Sequence, residues 1–241
     1  WRVWRASISA PALATTSSGF AWSQARPDNG ISREMALLHL AEMVAATDVP
    51  INADFESGFA ADPAGVAQSV RLAVETGVAG LSIEDSTGQA AAPLFSVEEA
   101  VERLRAARRA IDRAGPDTLL VGRAECYLVG RPDLQETIAR LQAYANAGAD
   151  CLYAPGLRTR DEIAAVVAAV APKPVNLLVG WASDLSVADI SARGVRLRPL
   201  NDGCCAGPVM AVRASDMLQQ FRSGRTCGTL QPLGRGLSRG T

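Results

Sequence analysis

Val49-Pro50-Ile51-Asn52-Ala53-Asp54-Phe55-Glu56 runs from apolar residues into a pair of acids, and the pattern returns twice downstream. Leu81-Ser82-Ile83-Glu84-Asp85 also ends in two acids, and Val121-Gly122-Arg123-Ala124-Glu125 ends in one, two residues after an arginine. Each follows a helix-like stretch and precedes a loop, so the acids fall where a strand ends. In a parallel α/β barrel those ends face one common mouth. Several carboxylates and one arginine converging there suit a hard cation and an anionic substrate. An ordinary core does not collect unpaired charge.

Working outward from these segments, strand-like and helix-like stretches alternate with a period of roughly 25–40 residues, as βα units do. The spacing predicts strands at Pro11 to Ser18, Val49 to Phe55, Ala79 to Ile83, Thr118 to Val121, Cys151 to Ala154, Pro174 to Val179 and Val195 to Leu200. Between them, Ser32 caps a helix to about Thr47, Pro63 opens one to about Thr76, and Ser96 with Glu99 forms a capping box for a third. Further helices are expected at Pro132 to Ala147, Thr159 to Val170 and Ser186 to Ala192. Seven strands are readable, and an eighth could come only from Trp1 to Ser9. The fold class is therefore α/β, a (β/α)8 TIM-type barrel, incomplete at its N-terminal strand and irregular at its C-terminus. A doubly wound open sheet is the runner-up, disfavoured because no Gly-rich dinucleotide loop follows the first strand.

Composition narrows the function. The chain has 241 residues, 48% of them hydrophobic, enough for one large domain with a substantial core. That domain is expected over 1–222, with a disordered tail over 223–241, where the chain turns Gly/Arg-rich. Net charge is −1, with 24 Lys+Arg against 25 Asp+Glu. No basic block stands out, so nucleic acid is not an expected partner. No apolar run approaches the roughly 20 residues of a membrane span, nor does the opening Trp1-Arg2-Val3-Trp4 resemble a signal peptide. A cytoplasmic location is expected. The five cysteines show no CxxC spacing, which argues against zinc and for reduced thiols. His39 is the only histidine, which excludes any mechanism that needs two, and Lys173 is the only lysine, which removes lysine chemistry from nearly every site.

Five stretches, PALATTSSGFAWS (11–23), PINADFESGF (50–59), GVAGLSIEDSTG (77–88), VGRAECYLVG (121–130) and AYANAGAD (143–150), resemble in order the isocitrate lyase/phosphoenolpyruvate mutase superfamily. The resemblance covers roughly residues 11 to 196. It implies a barrel with Mg²⁺, or Mn²⁺ in its place, at the carboxyl ends of its strands. It also implies a small 2-oxo or 2-hydroxy carboxylic acid as substrate, with a bond made or broken beside an enolate. By the same resemblance Asp54 is the direct metal ligand, and Glu84 and Asp28 reach the metal through water. Ser17, Ser18 and Gly19 cradle the substrate carboxylate, joined by Arg123 and Asn176, and Arg123 and Glu84 serve the chemistry. Asn52 stands where many members carry a second acid. Mg²⁺ keeps several waters in an octahedral oxygen shell, so one direct carboxylate is a sufficient protein contribution.

Plainer roles stand beside these. Asp28 lies in the turn signature Pro27-Asp28-Asn29-Gly30. Glu56 and Asp85 suit loop caps or pairs with arginines equally well, His39 suits a structural place in mid-helix between Leu38 and Leu40, and Cys126 and Cys151 are expected on strands as small core residues.

The stretch from Ser86 to Phe95 contains no Cys, Lys, His or Asn. It therefore lacks the loop cysteine of the isocitrate lyases and the loop lysine and asparagine of the mutases. It looks instead like the branch that includes oxaloacetate-decarboxylase-like members. The expected activity is a Mg²⁺-dependent lyase or decarboxylase. The alternatives are a phosphoenolpyruvate-mutase-like phosphonate enzyme, or a barrel that binds carboxylates without turnover. A candidate helix at Val209 to Phe221 carries a loose apolar stripe, from which a homo-oligomer is expected, either a dimer or a monomer–oligomer mixture.

Overall fold

A computed structural model describes residues 12–115, 117–178, 195–200 and 209–214. The order is β1 (Ala12–Thr15), α1 (Ser17–Ser23), α2 (Arg33–Ala46), β2 (Ile51–Asp54), α3 (Pro63–Glu75), β3 (Gly80–Glu84) and α4 (Val97–Ala114). Then come β4 (Leu119–Arg123), α5 (Leu134–Asn146), β5 (Cys151–Tyr153), α6 (Arg160–Val170), β6 (Val175–Asn176), β7 (Val195–Leu200) and β8 (Val209–Ala214). Each strand from β1 to β6 pairs in parallel with the next. The sheet closes through β8, and the result is an irregular TIM-type barrel.

All seven expected strands are present, and the helices start on local chemistry visible in the sequence. Ser32, Asp62, Ser96, Asp133 and Thr159 each accept a backbone N–H of the first helical turn. Ser96 with Glu99 and Thr159 with Glu162 form full capping boxes. Such caps satisfy donors that the helix itself leaves open.

Three expectations change. The segment ending at Ser18 is not all strand: β1 stops at Thr15, and Thr16 caps the seven-residue helix α1 by accepting from Gly19 N. Val209–Ala214 is a strand rather than the start of a helix, antiparallel to both β1 and β7. The edges of those two strands expose rows of backbone donors and acceptors that a helix could not satisfy. Cys126 lies three residues past the end of β4, in a turn, although it is buried. The segment Trp1 to Ser9, named as the one source of an eighth strand, the expected helix at Ser186 to Ala192 and the expected disordered tail over 223–241 lie outside the described residues.

Side chains alternate across the sheet as the pleat requires. Ile51, Ala53, Leu81, Ile83, Leu120, Leu152 and Val175 join the main core beneath the helices. Their neighbours form the barrel's inside, where Val121, Cys151 and Tyr153 make a small separate cluster. Each large apolar side chain fully buried this way contributes about 1.5–3 kcal/mol. Gly80 fits because a Cβ there would meet Asn52 Oδ1 at 2.9 Å, so its smallness makes room for that amide. No helix among the described residues is long and apolar enough to cross a membrane.

Candidate active site

Glu84 is the register partner of Arg123, Arg123 of Tyr153, and Tyr153 of Asn176. These four residues thus form one row across β3 to β6 at the carboxyl ends of the strands. Asp54 ends β2 beside them. The Arg123 guanidinium lies at the centre: its Nη1 is 3.1 Å from Asp54 Oδ1 and 3.3 Å from Glu84 Oε2, and its Nε donates to Glu125 Oε1. It also sits 5.2 Å from the centre of the Tyr153 ring. The other oxygen of Asp54 accepts from both the backbone N and the Oγ of Ser17, each at 3.1 Å. The Asp54 backbone N donates to Thr15 Oγ1 at 2.9 Å.

The acids here outnumber their cation. Burial raises Glu84 well above the ordinary carboxylate value; Arg123 opposes the shift, while Glu125, Asp54 and Glu56 add to it. Glu125 is raised by burial in the same way, again against the pull of Arg123. Burial, helped by Asp54 and Asp28, pushes Glu56 up to about 7. Burial alone would lower Arg123, but Glu84, Glu125 and Asp54 raise it well above its usual value, so it stays charged.

The other expected site residues divide. Ser17 is spent on Asp54. Ser18 Oγ lies 3.3 Å from Thr16 Oγ1, and the N–H of Gly19 is capped by the same threonine, so this turn is organised from within. Asn176 is 8% exposed, and its Oδ1 is buried with no hydrogen-bond partner. Asp28 is exposed and accepts from Asn29 N at 3.0 Å, while Gly30 N donates to Pro27 O at 3.0 Å, so the turn is real. Its carboxylate acts on the site through its field on Glu56.

Asp85 does pair with an arginine. It is 1% exposed, lies 3.1 Å from Arg140 Nη1, and accepts from Tyr144 OH at 2.6 Å and from Glu125 N at 2.8 Å. It thereby fixes the backbone that carries Glu125. His39 stacks on Phe20 with ring centres 4.0 Å apart, a packing role. Cys126 and Cys151 are buried free thiols, and burial pushes Cys151 up to about 12. Tyr153 was not a sequence candidate: nothing in Cys151-Leu152-Tyr153 marks it, and only the register places its ring beside Arg123. The loop past the site is closed by an antiparallel bridge between Ser86 and Leu94. The loop after β4 is tied down where Tyr127 OH donates to Glu162 Oε1 at 3.0 Å.

The donor set fits a hard divalent ion. Every candidate ligand is an oxygen, negative charge is in excess, and Glu56 Oε1 is buried with no hydrogen-bond partner. Among the described residues no three His, Cys, Asp or Glu side chains form a ready-made cage.

A barrel with acids and an arginine gathered at its strand ends has the layout of the (β/α)8 enzymes, whose active sites lie at this face. The comparisons then give the family. The model described as phosphoenolpyruvate phosphomutase matches residues 3–198, and the chain belongs to the isocitrate lyase/phosphoenolpyruvate mutase superfamily. It is 32% identical over 203 residues to the oxaloacetate decarboxylase of Bradyrhizobium diazoefficiens, covering 79% of this chain and 66% of that one. A structure from Burkholderia cenocepacia J2315, assigned only provisionally as a lyase/mutase, is 49% identical with a TM-score of 0.74, covering 78% of this chain and 67% of that one. Phosphonopyruvate hydrolase in complex with oxalate and Mg²⁺ is 28% identical with a TM-score of 0.71, covering 80% of this chain and 68% of that one. The chain spans about two thirds of the length of these relatives.

Proposed function

We propose that this chain is a Mg²⁺-dependent carbon–carbon lyase or decarboxylase acting on a small 2-oxo or 2-hydroxy carboxylic acid. The observation that carries this reading is the crowd of carboxylates around one arginine at the strand ends, with Asp54, Glu84 and Glu125 all on Arg123. Asp54 would hold the Mg²⁺ directly, and Glu84 and Asp28 would hold it through water. When bound, the ion supplies Lewis acidity that stabilises negative charge on the substrate's carbonyl oxygen.

The chain's own side chains do the rest. Arg123 presents a planar fork suited to a carboxylate, and the Tyr153 ring limits where that fork can turn. The buried Asn176 Oδ1 offers an acceptor for a substrate hydroxyl. The Ser17-Ser18-Gly19 turn borders the same space; with Ser17 held on Asp54 and the Gly19 N–H on Thr16, Ser18 is the residue whose hydroxyl can turn from Thr16 Oγ1 to donate to a carboxylate oxygen. Residues 86–95 bring no thiol, amine or imidazole to the mouth, which favours a reaction whose product is reprotonated by water. Decarboxylation meets that condition. The oxaloacetate decarboxylase relative and the oxalate held by phosphonopyruvate hydrolase both support a small dicarboxylate or 2-oxo acid.

The test is a screen of oxaloacetate, methylisocitrate, dimethylmalate and phosphonopyruvate, each with and without Mg²⁺. Metal-dependent turnover of one of the first three is the expected result. Turnover of phosphonopyruvate alone would favour the phosphonate chemistry, and ion binding without any turnover would mark a carboxylate-binding barrel.

A further inference from the structure

Arg103 occupies a position that the pattern of its helix reserves for an apolar side chain. It lies on the buried face of α4 with Ala100, Leu104, Ala107 and Ile111, and it is only 2% exposed. A buried arginine ordinarily meets a carboxylate. The partners of Arg103 among the described residues are instead backbone carbonyls and one ring. Its Nη2 donates to Ser57 O at 2.9 Å and to Ala60 O, its Nη1 donates to Ala61 O at 3.1 Å, and its guanidinium lies 4.3 Å from the centre of the Phe95 ring. Its Nε is buried with no partner. Burial lowers Arg103 from its usual value, and Asp62 and Glu99 oppose that through their fields. A buried charge without an acid beside it costs stability, and an apolar side chain of similar volume would avoid that cost. What the guanidinium does better than any apolar side chain is hold carbonyls.

Its contacts fall on two loops of the mouth. Residues 57–61 belong to the loop that leaves β2 after Asp54, and Phe95 ends the loop that leaves β3 after Glu84. The first loop does not hold its shape by itself. Glu56, Gly58 and Phe59 have φ of 48°, 91° and 51°, so two residues with a Cβ sit in the left-handed region. Such conformations persist where the surroundings impose them. Arg103 supplies the imposition, with three carbonyls of one short loop on a single planar fork. In the second loop, Phe95 N donates to Asp85 O at 2.9 Å, so the ring beside the guanidinium is tied to the residue after Glu84. Glu84 N donates to Glu56 O at 3.0 Å and joins the two loops on the side facing the mouth.

We propose that Arg103 is a positioning residue: from α4 it holds the loops after β2 and β3 as one body, and so fixes Asp54 and Glu84 relative to each other for the divalent cation. Arg103 pairs with neither acid and acts through the backbone that follows them. The inference rests on the proposed function.

The test compares the wild type with Arg103→Met, which fills the space without donors, and Arg103→Lys, which keeps the charge and part of the donor set. Hydrogen–deuterium exchange reads the loops, and Mn²⁺ titration calorimetry reads the cation. In Arg103→Met, peptides covering 55–61 and 84–95 should both exchange about tenfold faster, while β5 and α6 keep their wild-type protection. The same variant should bind Mn²⁺ about tenfold more weakly. Arg103→Lys should fall between the two proteins on both measures. Faster exchange confined to one loop would overturn the proposal, and exchange raised across the whole barrel would do so by showing a purely structural role. Undiminished Mn²⁺ affinity in both variants would overturn it as well. Should Arg103→Met not fold, Arg103→Lys decides by the same criteria. Failure of the wild type itself to bind Mn²⁺ would overturn the proposed function and this inference with it.

Discussion

Arg123 faces Glu84 directly across the β3–β4 register, with its Nη1 3.3 Å from Glu84 Oε2. The same nitrogen reaches Asp54 at 3.1 Å, so one guanidinium neutralises acids from two neighbouring strands. On the proposed function, an ion entering beside Asp54 takes over part of that neutralisation. The N–H donors of Arg123 then become available to a substrate carboxylate.

Asp54→Ala should abolish both activity and Mg²⁺ binding, and Glu84→Gln should weaken Mg²⁺ affinity by about 10–100-fold. Calorimetric titration distinguishes the two. Unchanged affinity in the Asp54 variant would refute its assignment as ligand.

Arg123→Lys keeps the charge but loses the planar fork and the contact with the Tyr153 ring. Substrate affinity should fall even though the local charge is unaltered. An uncharged substrate analogue binding as tightly as the acid would count against a carboxylate at this position.

Asp85→Ala should cost about 3–5 kcal/mol of stability, because it strips a buried carboxylate from the buried Arg140 guanidinium. The mild control is Tyr144→Phe, which removes one hydrogen bond and should cost about 1 kcal/mol. Chemical denaturation gives both numbers, and a loss below 1 kcal/mol in Asp85→Ala would show that Glu136 and the Phe95 carbonyl suffice for Arg140.

Alkylation of accessible thiols should leave activity intact, since Cys126 and Cys151 are buried and burial raises both above the ordinary thiol value. Stoichiometric inactivation that substrate prevents would mean that a catalytic cysteine exists.

Thr159→Ala should destabilise the fold by about 1 kcal/mol through loss of its cap. Glu162 is held below the usual carboxylate value: burial acts against this, but hydrogen bonds from Thr159, Arg158 and Tyr127 prevail. A depressed folded value means that its contribution is present above the ordinary carboxylate range and lost as pH falls through the depressed value. Glu162→Gln should therefore flatten the acid side of the stability profile, and an unchanged profile would show the shift to be of no consequence.

The parts of the fold that were legible in sequence were those written in local chemistry. Ser32, Ser96 and Thr159 announce helix starts, and the runs at 79–83 and 118–121 announce buried strands. Helix α1 was missed because seven residues containing Gly19 carry little helical signal against the Thr-rich strand before them. Strand β8 was read as helix because Val209–Ala214 is apolar enough for either, and only the edges of β1 and β7 decide. At the site, acids closing strands were visible one strand at a time. Arg123's choice of Asp54, Glu84 and Glu125 depends on register between strands, as does the position of Tyr153, and register is not written in any one segment.

Glu162 serves two masters: it closes the cap of α6 and holds the Tyr127 hydroxyl from the loop after β4. Lifting that loop therefore means breaking its latch on a helix that is anchored in its own right. If the latch and the contacts that go with it cost about 2 kcal/mol to release, the raised state holds only a few per cent of molecules. That side of the mouth is therefore in place in all but that small fraction of molecules. A mutation that frees Tyr127 should change how fast ligands come and go before it changes how tightly they are held.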